Sequence, residues 1–142
     1  MSDIILTIKG TQFQDGRQED TEFTTEGRIA IKDGSGVISY GQAGSLDLSE
    51  FTEIIAEGDA VIMKKNGADG MELVFQEGKL YAASYNTPFG PVDVTVLPTF
   101  VYVNMDDKHG RIELEYVLDI SGVQLVSKLK LSYVSDNIAN QA

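Results

Sequence analysis

Few residues in this chain have types and spacing that suit chemistry, and each admits a plainer account. His109 is the single histidine, set in Asp106-Asp107-Lys108-His109-Gly110. Two carboxylates beside an imidazole suit a divalent cation, yet ligands this close on a tight loop rarely converge on one ion. A solvated turn explains the same letters, and no metal site is expected. Gly34-Ser35-Gly36 and the Gly41–Gly44 stretch lack the lysine and following helix of a phosphate loop. No Gly-x-Ser-x-Gly elbow accompanies the histidine. Glu113 and Glu115 read as a solvated face, each with a lysine opposite, and not as a catalytic dyad. No catalytic residue and no cofactor is assigned.

Polar groups that fall in the inward phase of an apolar strand are more informative. Ser127 interrupts Leu125, Leu129 and Leu131, and it should face Tyr116 across a hairpin. Two buried hydroxyls need partners. Either they bond each other or a water, or they orient a mostly apolar ligand in a barrel lumen. The second stretch is Tyr85-Asn86-Thr87-Pro88-Phe89-Gly90, with an aromatic at what reads as a turn. Phe89 is expected to plug a barrel end; the alternative is that it lines an opening. The candidate ligand-binding residues are therefore Tyr85, Thr87, Phe89, Tyr116 and Ser127.

What must position them is a series of short extended segments. Arg111, Glu113, Glu115 and Asp119 alternate with Ile112, Leu114, Tyr116, Leu118 and Ile120. After Ser121-Gly122 the alternation resumes, with Val123, Leu125, Ser127, Leu129, Leu131 and Tyr133 on one face. A two-residue turn sets Glu115 against Lys128 and Glu113 against Lys130. A three-residue loop would set Glu113 against Leu129, so the charge pattern selects the tight turn.

Upstream, Ile4–Phe13 reads as a strand, Gln14–Asp20 as a charged loop, and Thr21–Lys32 as a strand with a bend or bulge at Gly27. Asp33–Gly36 turns the chain into Val37–Tyr40, and Gly41–Ser49 reads as a loop. Phe51–Glu57 and Ala60–Lys65 form a hairpin across Gly58-Asp59, with Glu53 opposite Lys64. A third hairpin is expected from Met71–Gln76 through Glu77-Gly78 to Lys79–Thr87, with Phe75 meeting Leu80, Leu73 meeting Ala82 and Gln76 beside Lys79 at the mouth. Pro98 should divide Val92–Leu97 from Phe100–Met105, marking an edge, a kink or a corner.

The 142 residues make one domain, large enough to build a core without staples. There is no cysteine, which excludes disulfides and thiolate metal sites. With 22 acidic and 11 basic residues the net charge is −11. Nucleic acids and anionic membranes are disfavoured as partners, because both reward positive charge. The Met1–Lys9 stretch carries neither a basic leader nor an apolar run of spanning length. A soluble cytoplasmic protein is expected, monomer or homodimer.

Several stretches resemble a known family. Met71–Lys79, Tyr85–Gly90 and Gly110–Ile120 are similar to the YwiB-like proteins, small uncharacterised bacterial proteins. Leu6–Gly10 and Thr25-Glu26-Gly27 are similar to that family's first two strands, so the resemblance runs from about Ile4 to Tyr133. Gly41–Ser49 departs from it. The resemblance implies a calycin-like, lipocalin-related β-barrel in a bacterial cytoplasm, and it implies no activity.

Taken together, the expectation is an all-β antiparallel meander closed into a barrel of about eight to ten strands. Residues 1–134 form the domain and 135–142 a flexible tail. The expected function is non-catalytic binding of a small apolar or amphipathic ligand. The alternative is a filled barrel that meets a protein partner through its acidic surface or an exposed strand edge.

Overall fold

The computed structural model describes residues 2–41, 51–65 and 71–136. Ten strands follow one another: β1 (Ser2–Gln14), β2 (Arg17–Lys32), β3 (Ser35–Gly41), β4 (Phe51–Glu57), β5 (Ala60–Lys65), β6 (Met71–Gln76), β7 (Tyr81–Thr87), β8 (Gly90–Met105), β9 (His109–Ile120) and β10 (Val123–Ser135). They pair antiparallel in the order β6-β5-β4-β3-β2-β1-β10-β9-β8-β7. The first strand therefore bonds the last, and the chain curls into a nearly closed all-β barrel.

The final hairpin has the register its charges select. Glu115 stands opposite Lys128, Glu113 opposite Lys130, and Leu114 opposite Leu129. Ser121 and Gly122 both have positive φ, as a two-residue turn matched to strand twist requires. The β4–β5 hairpin likewise sets Glu53 against Lys64, with a positive φ at Gly58. Inward positions build one core from every part of the sheet, including Ile4, Leu6, Ile38, Ile54, Val61, Phe75, Val96, Ile112, Leu114 and Leu131. Burying each such side chain stabilises the fold by roughly 1.5–3 kcal/mol.

Four local expectations are corrected. Gln14–Asp20 is not a loop: β1 runs to Gln14 and β2 starts at Arg17, joined by Asp15-Gly16 with positive φ at both residues. An Asp-Gly pair favours this turn even among charged neighbours. Gly27 carries no bulge, because the β1–β2 register runs through it unbroken. Its role is close approach, since a Cβ there would lie 2.8 Å from the Ser39 carbonyl oxygen. This is where β2 begins to pair with β3, at Arg28 and Ser39.

Pro98 does not divide two strands. It lies within the single strand β8, where the register with β9 shifts between Pro98 and Phe100. A bulge accommodates a residue that cannot donate to the ladder. Its carbonyl accepts the Gly78 N–H at 2.9 Å.

The third hairpin forms only at its mouth. Only Gln76 and Lys79 bridge across its turn. Phe75 is fully buried while Leu80, its expected partner, is 65% exposed. β6 gives its ladder to β5, and β7 swings away to pair with β8 from Tyr81–Val96 to Thr87–Gly90. A distant strand outcompetes the local one, and the barrel's seam lies between β6 and β7. The residues between Gly41 and Phe51 lie outside the described part. Of the expected tail, Ser135 ends β10 and is buried, and residues 137–142 lie outside the described part.

Candidate functional site

The inner face of β1 changes character along its length. Ile4, Leu6 and Ile8 are buried, and the next inward positions are Gly10 and Gln12. Register then determines what surrounds them. Gln12 stands opposite Glu19 on β2 and opposite Ser127 on β10, and Ser127 stands opposite Tyr116 on β9. One row across four strands is thus Glu19–Gln12–Ser127–Tyr116, polar throughout. In the row beside it, Gly10 faces Thr21 and Leu129. A Cβ at residue 10 would lie 2.9 Å from the Thr21 hydroxyl, so glycine leaves that hydroxyl its place.

These side chains line a partly open cavity of about 190 Å³ at one end of the barrel, with Gln12, Glu19, Thr21, Tyr116, Ser127 and Leu129 among its walls. Ser127 is only 2% exposed, and its Oγ has no hydrogen-bond partner among the described residues. Burial raises the Tyr116 phenol above its usual pKa, and a hydrogen-bonding contact with the Ser127 side chain offsets part of that rise. By strict distance and angle the contact between the two hydroxyls is too weak to satisfy Ser127 Oγ, so it is a marginal bond at most. An unsatisfied buried hydroxyl costs about 1–3 kcal/mol. The Tyr116 ring is held from behind by Phe75, edge-on at 4.9 Å between centroids.

Of the residues picked from the sequence, Tyr116 and Ser127 are brought together here. Tyr85 and Thr87 lie in β7, with side chains outside the described part. Phe89 occupies the β7–β8 turn, fully exposed to solvent and not folded over the core. The expectation that it plugs a barrel end is therefore corrected: the turn carries its ring away from the core. Gln12, Glu19 and Thr21 join Tyr116 and Ser127, though none stands out by residue type in the sequence. The signal for them is Asp15-Gly16, because a tight turn there keeps both flanks in the sheet.

The Asp106–His109 segment has a structural role. One Asp106 carboxylate oxygen accepts the Lys108 and His109 N–H groups, each at 2.8 Å. Those bonds hold the carboxyl below its usual pKa. His109 Nδ1 is 3.7 Å from the other oxygen, with both side chains exposed. Among the described residues, no group of three or more His, Asp or Glu is placed to hold a metal ion. No helix among them is long and apolar enough to cross a membrane.

A larger groove of about 410 Å³ lies along the outer face, lined by Lys9, Phe100, Glu113, Glu115, Lys128 and Lys130 among others. Its Lys128 and Glu115 already pair at 3.2 Å in solvent. The lumen cavity, although smaller, is the one that contains a buried polar atom the fold leaves unused.

A family model described as "Domain of unknown function (DUF1934)" matches residues 6–132. The chain is 27% identical over 121 residues to the "Uncharacterized beta-barrel protein YwiB" of Bacillus subtilis (strain 168), covering 85% of this chain and 84% of that one. The crystal structure of that ywiB protein superposes with a TM-score of 0.82 at 25% identity, over 94% of this chain and 92% of the other.

Proposed function

Taking as premise that the chain belongs to the family of the domain of unknown function DUF1934, we propose that it is a non-catalytic barrel holding a small amphipathic ligand at the polar end of its lumen. The observation that carries this reading is the Ser127 hydroxyl, buried without a partner against a cavity. Buried polar groups in folded proteins are nearly always satisfied. A ligand that bonds Ser127 while resting on Leu129 and the Tyr116 ring would supply what the fold omits. At about 190 Å³ the space suits a ligand smaller than the drug-sized molecules that fill roughly 300–1,000 Å³ pockets.

The same chemistry argues against catalysis. A serine nucleophile needs a base, and Ser127 faces a phenol whose pKa is raised. The one imidazole is exposed at the start of β9. The cysteine-free composition suits a reducing cytoplasm.

Native mass spectrometry of freshly purified protein tests the reading. A small bound mass is expected on the wild type and absent from Ser127→Val. A bound mass retained unchanged by that variant would contradict the assignment.

A second reading, a protein-interaction barrel, draws on the outer face. Phe13 stands opposite Val126, Val126 opposite Val117, and Val117 opposite Leu97, an apolar row of which Phe13, Val126 and Leu97 are exposed. Affinity purification should then lose a partner in Leu97→Asp, and a partner retained by that variant would count against this face.

A further inference from the structure

Resting on the lumen cavity as a ligand site, we propose that its ligand carries a small ammonium group, received by the Glu19 carboxylate within the hydroxyl and amide oxygens of Gln12, Thr21, Ser127 and Tyr116. Two ionisable groups besides the tyrosine line the cavity, Glu19 and Lys128. Lys128 belongs to the outward phase of β10, and its Nζ lies 3.2 Å from the Glu115 carboxylate outside the barrel. The charge the cavity presents is therefore negative. Glu19 makes no ion pair with any described residue.

The neutral groups can serve an ammonium. Thr21, Ser127 and Gln12 each offer an accepting oxygen, and an ammonium brings three donors and no acceptor. Ser127 Oγ, buried and unpartnered, is the position where a donor from the ligand gains most. Tyr116 stays a neutral phenol across the physiological range, since burial raises its pKa, and it too can accept. A carboxylate or phosphate in the same place would meet the Glu19 charge. The net charge of −11 adds to the preference by concentrating cations around the molecule. The apolar stem of such a ligand would rest on Leu129 and the Tyr116 ring, and the volume limits it to a few carbon atoms.

Three molecules of nearly one shape separate the head group from the rest: n-butylammonium, 1-butanol and butyrate. Each is titrated into the isotopically labelled full chain, following the backbone amide signals of Gln12, Glu19, Thr21 and Ser127. Butylammonium should shift all four amides and bind at least tenfold more tightly than butanol, and butyrate should leave them unmoved. Raising the salt concentration should weaken butylammonium alone. In Glu19→Gln, butylammonium should lose its advantage and bind no more tightly than butanol does to the same variant.

Butanol or butyrate binding at those amides as tightly as butylammonium would overturn the ammonium assignment while sustaining the cavity as a binding site. Unchanged butylammonium affinity in Glu19→Gln would do the same. If none of the three moves those amides, or butylammonium moves only amides of the outer acidic face, the cavity reading falls together with the ammonium.

Discussion

The ring of Tyr133 lies over Gly110, its cross-strand partner, so closely that a Cβ at residue 110 would stand 2.5 Å from the ring. The same tyrosine donates its hydroxyl to the Asp106 carbonyl oxygen at 2.6 Å. One side chain thus covers a bare stretch of β9 and secures the loop that leads into it. Gly110→Ala should therefore destabilise the protein by about 1–3 kcal/mol, as overpacking of a core does. Urea unfolding measures it, and a neutral result would mean that the ring moves freely.

Tyr133 also predicts a response to alkali. Burial, reinforced by the Asp106 charge, pushes its pKa up to about 12 from an ordinary 10.0. The folded state therefore keeps the phenol protonated where the unfolded chain loses the proton. Its contribution is fully present below pH 10 and is lost as pH rises toward 12. Tyr133→Phe should lose about 0.5–1.5 kcal/mol near neutrality, with the hydrogen bond. The variant's stability should also fall less steeply than the wild type's between pH 10 and 12. Parallel slopes would contradict the assignment.

Much of this was legible in the sequence where neighbours in the chain are neighbours in space. Arg111–Tyr133 sets its own register through alternation and opposed charges, and with it the juxtaposition of Tyr116 and Ser127. The resemblance to YwiB-like proteins likewise implied the barrel that the fold has. What stayed hidden depends on distant partners. Nothing local in Met71–Thr87 announces that β7 leaves β6 for β8. The charged run after Gln14 reads as loop, although Asp15-Gly16 keeps its flanks paired, and with it Glu19 and its place opposite Gln12 drop out of view. Phe89 reads as a plug because its letters are apolar, whereas the direction of the turn decides its exposure.

On the outer face, Glu115 and Lys128 should couple in a double-mutant cycle by about 0.2–1 kcal/mol at low salt, and by less at 1 M salt. Glu113 and Lys130 also stand opposite, but Glu113 lies 3.6 Å from Arg111. Their coupling should be the weaker of the two. The reverse order would contradict the pairing.

Tyr116 should behave as a core aromatic despite lining the cavity, because its ring packs on buried Phe75. Tyr116→Ala should cost about 3–5 kcal/mol in urea unfolding. A loss near 1 kcal/mol would place solvent on both sides of the ring.

The central claim is that the fold itself does not use the Ser127 hydroxyl. Urea unfolding of the wild type and Ser127→Ala, both refolded from denaturant to strip any ligand, tests it most directly. An unpartnered buried hydroxyl predicts that the variant is as stable as the wild type or up to about 1 kcal/mol more stable. A loss of more than about 1 kcal/mol would mean that the hydroxyl is already satisfied inside the barrel, and would contradict the account.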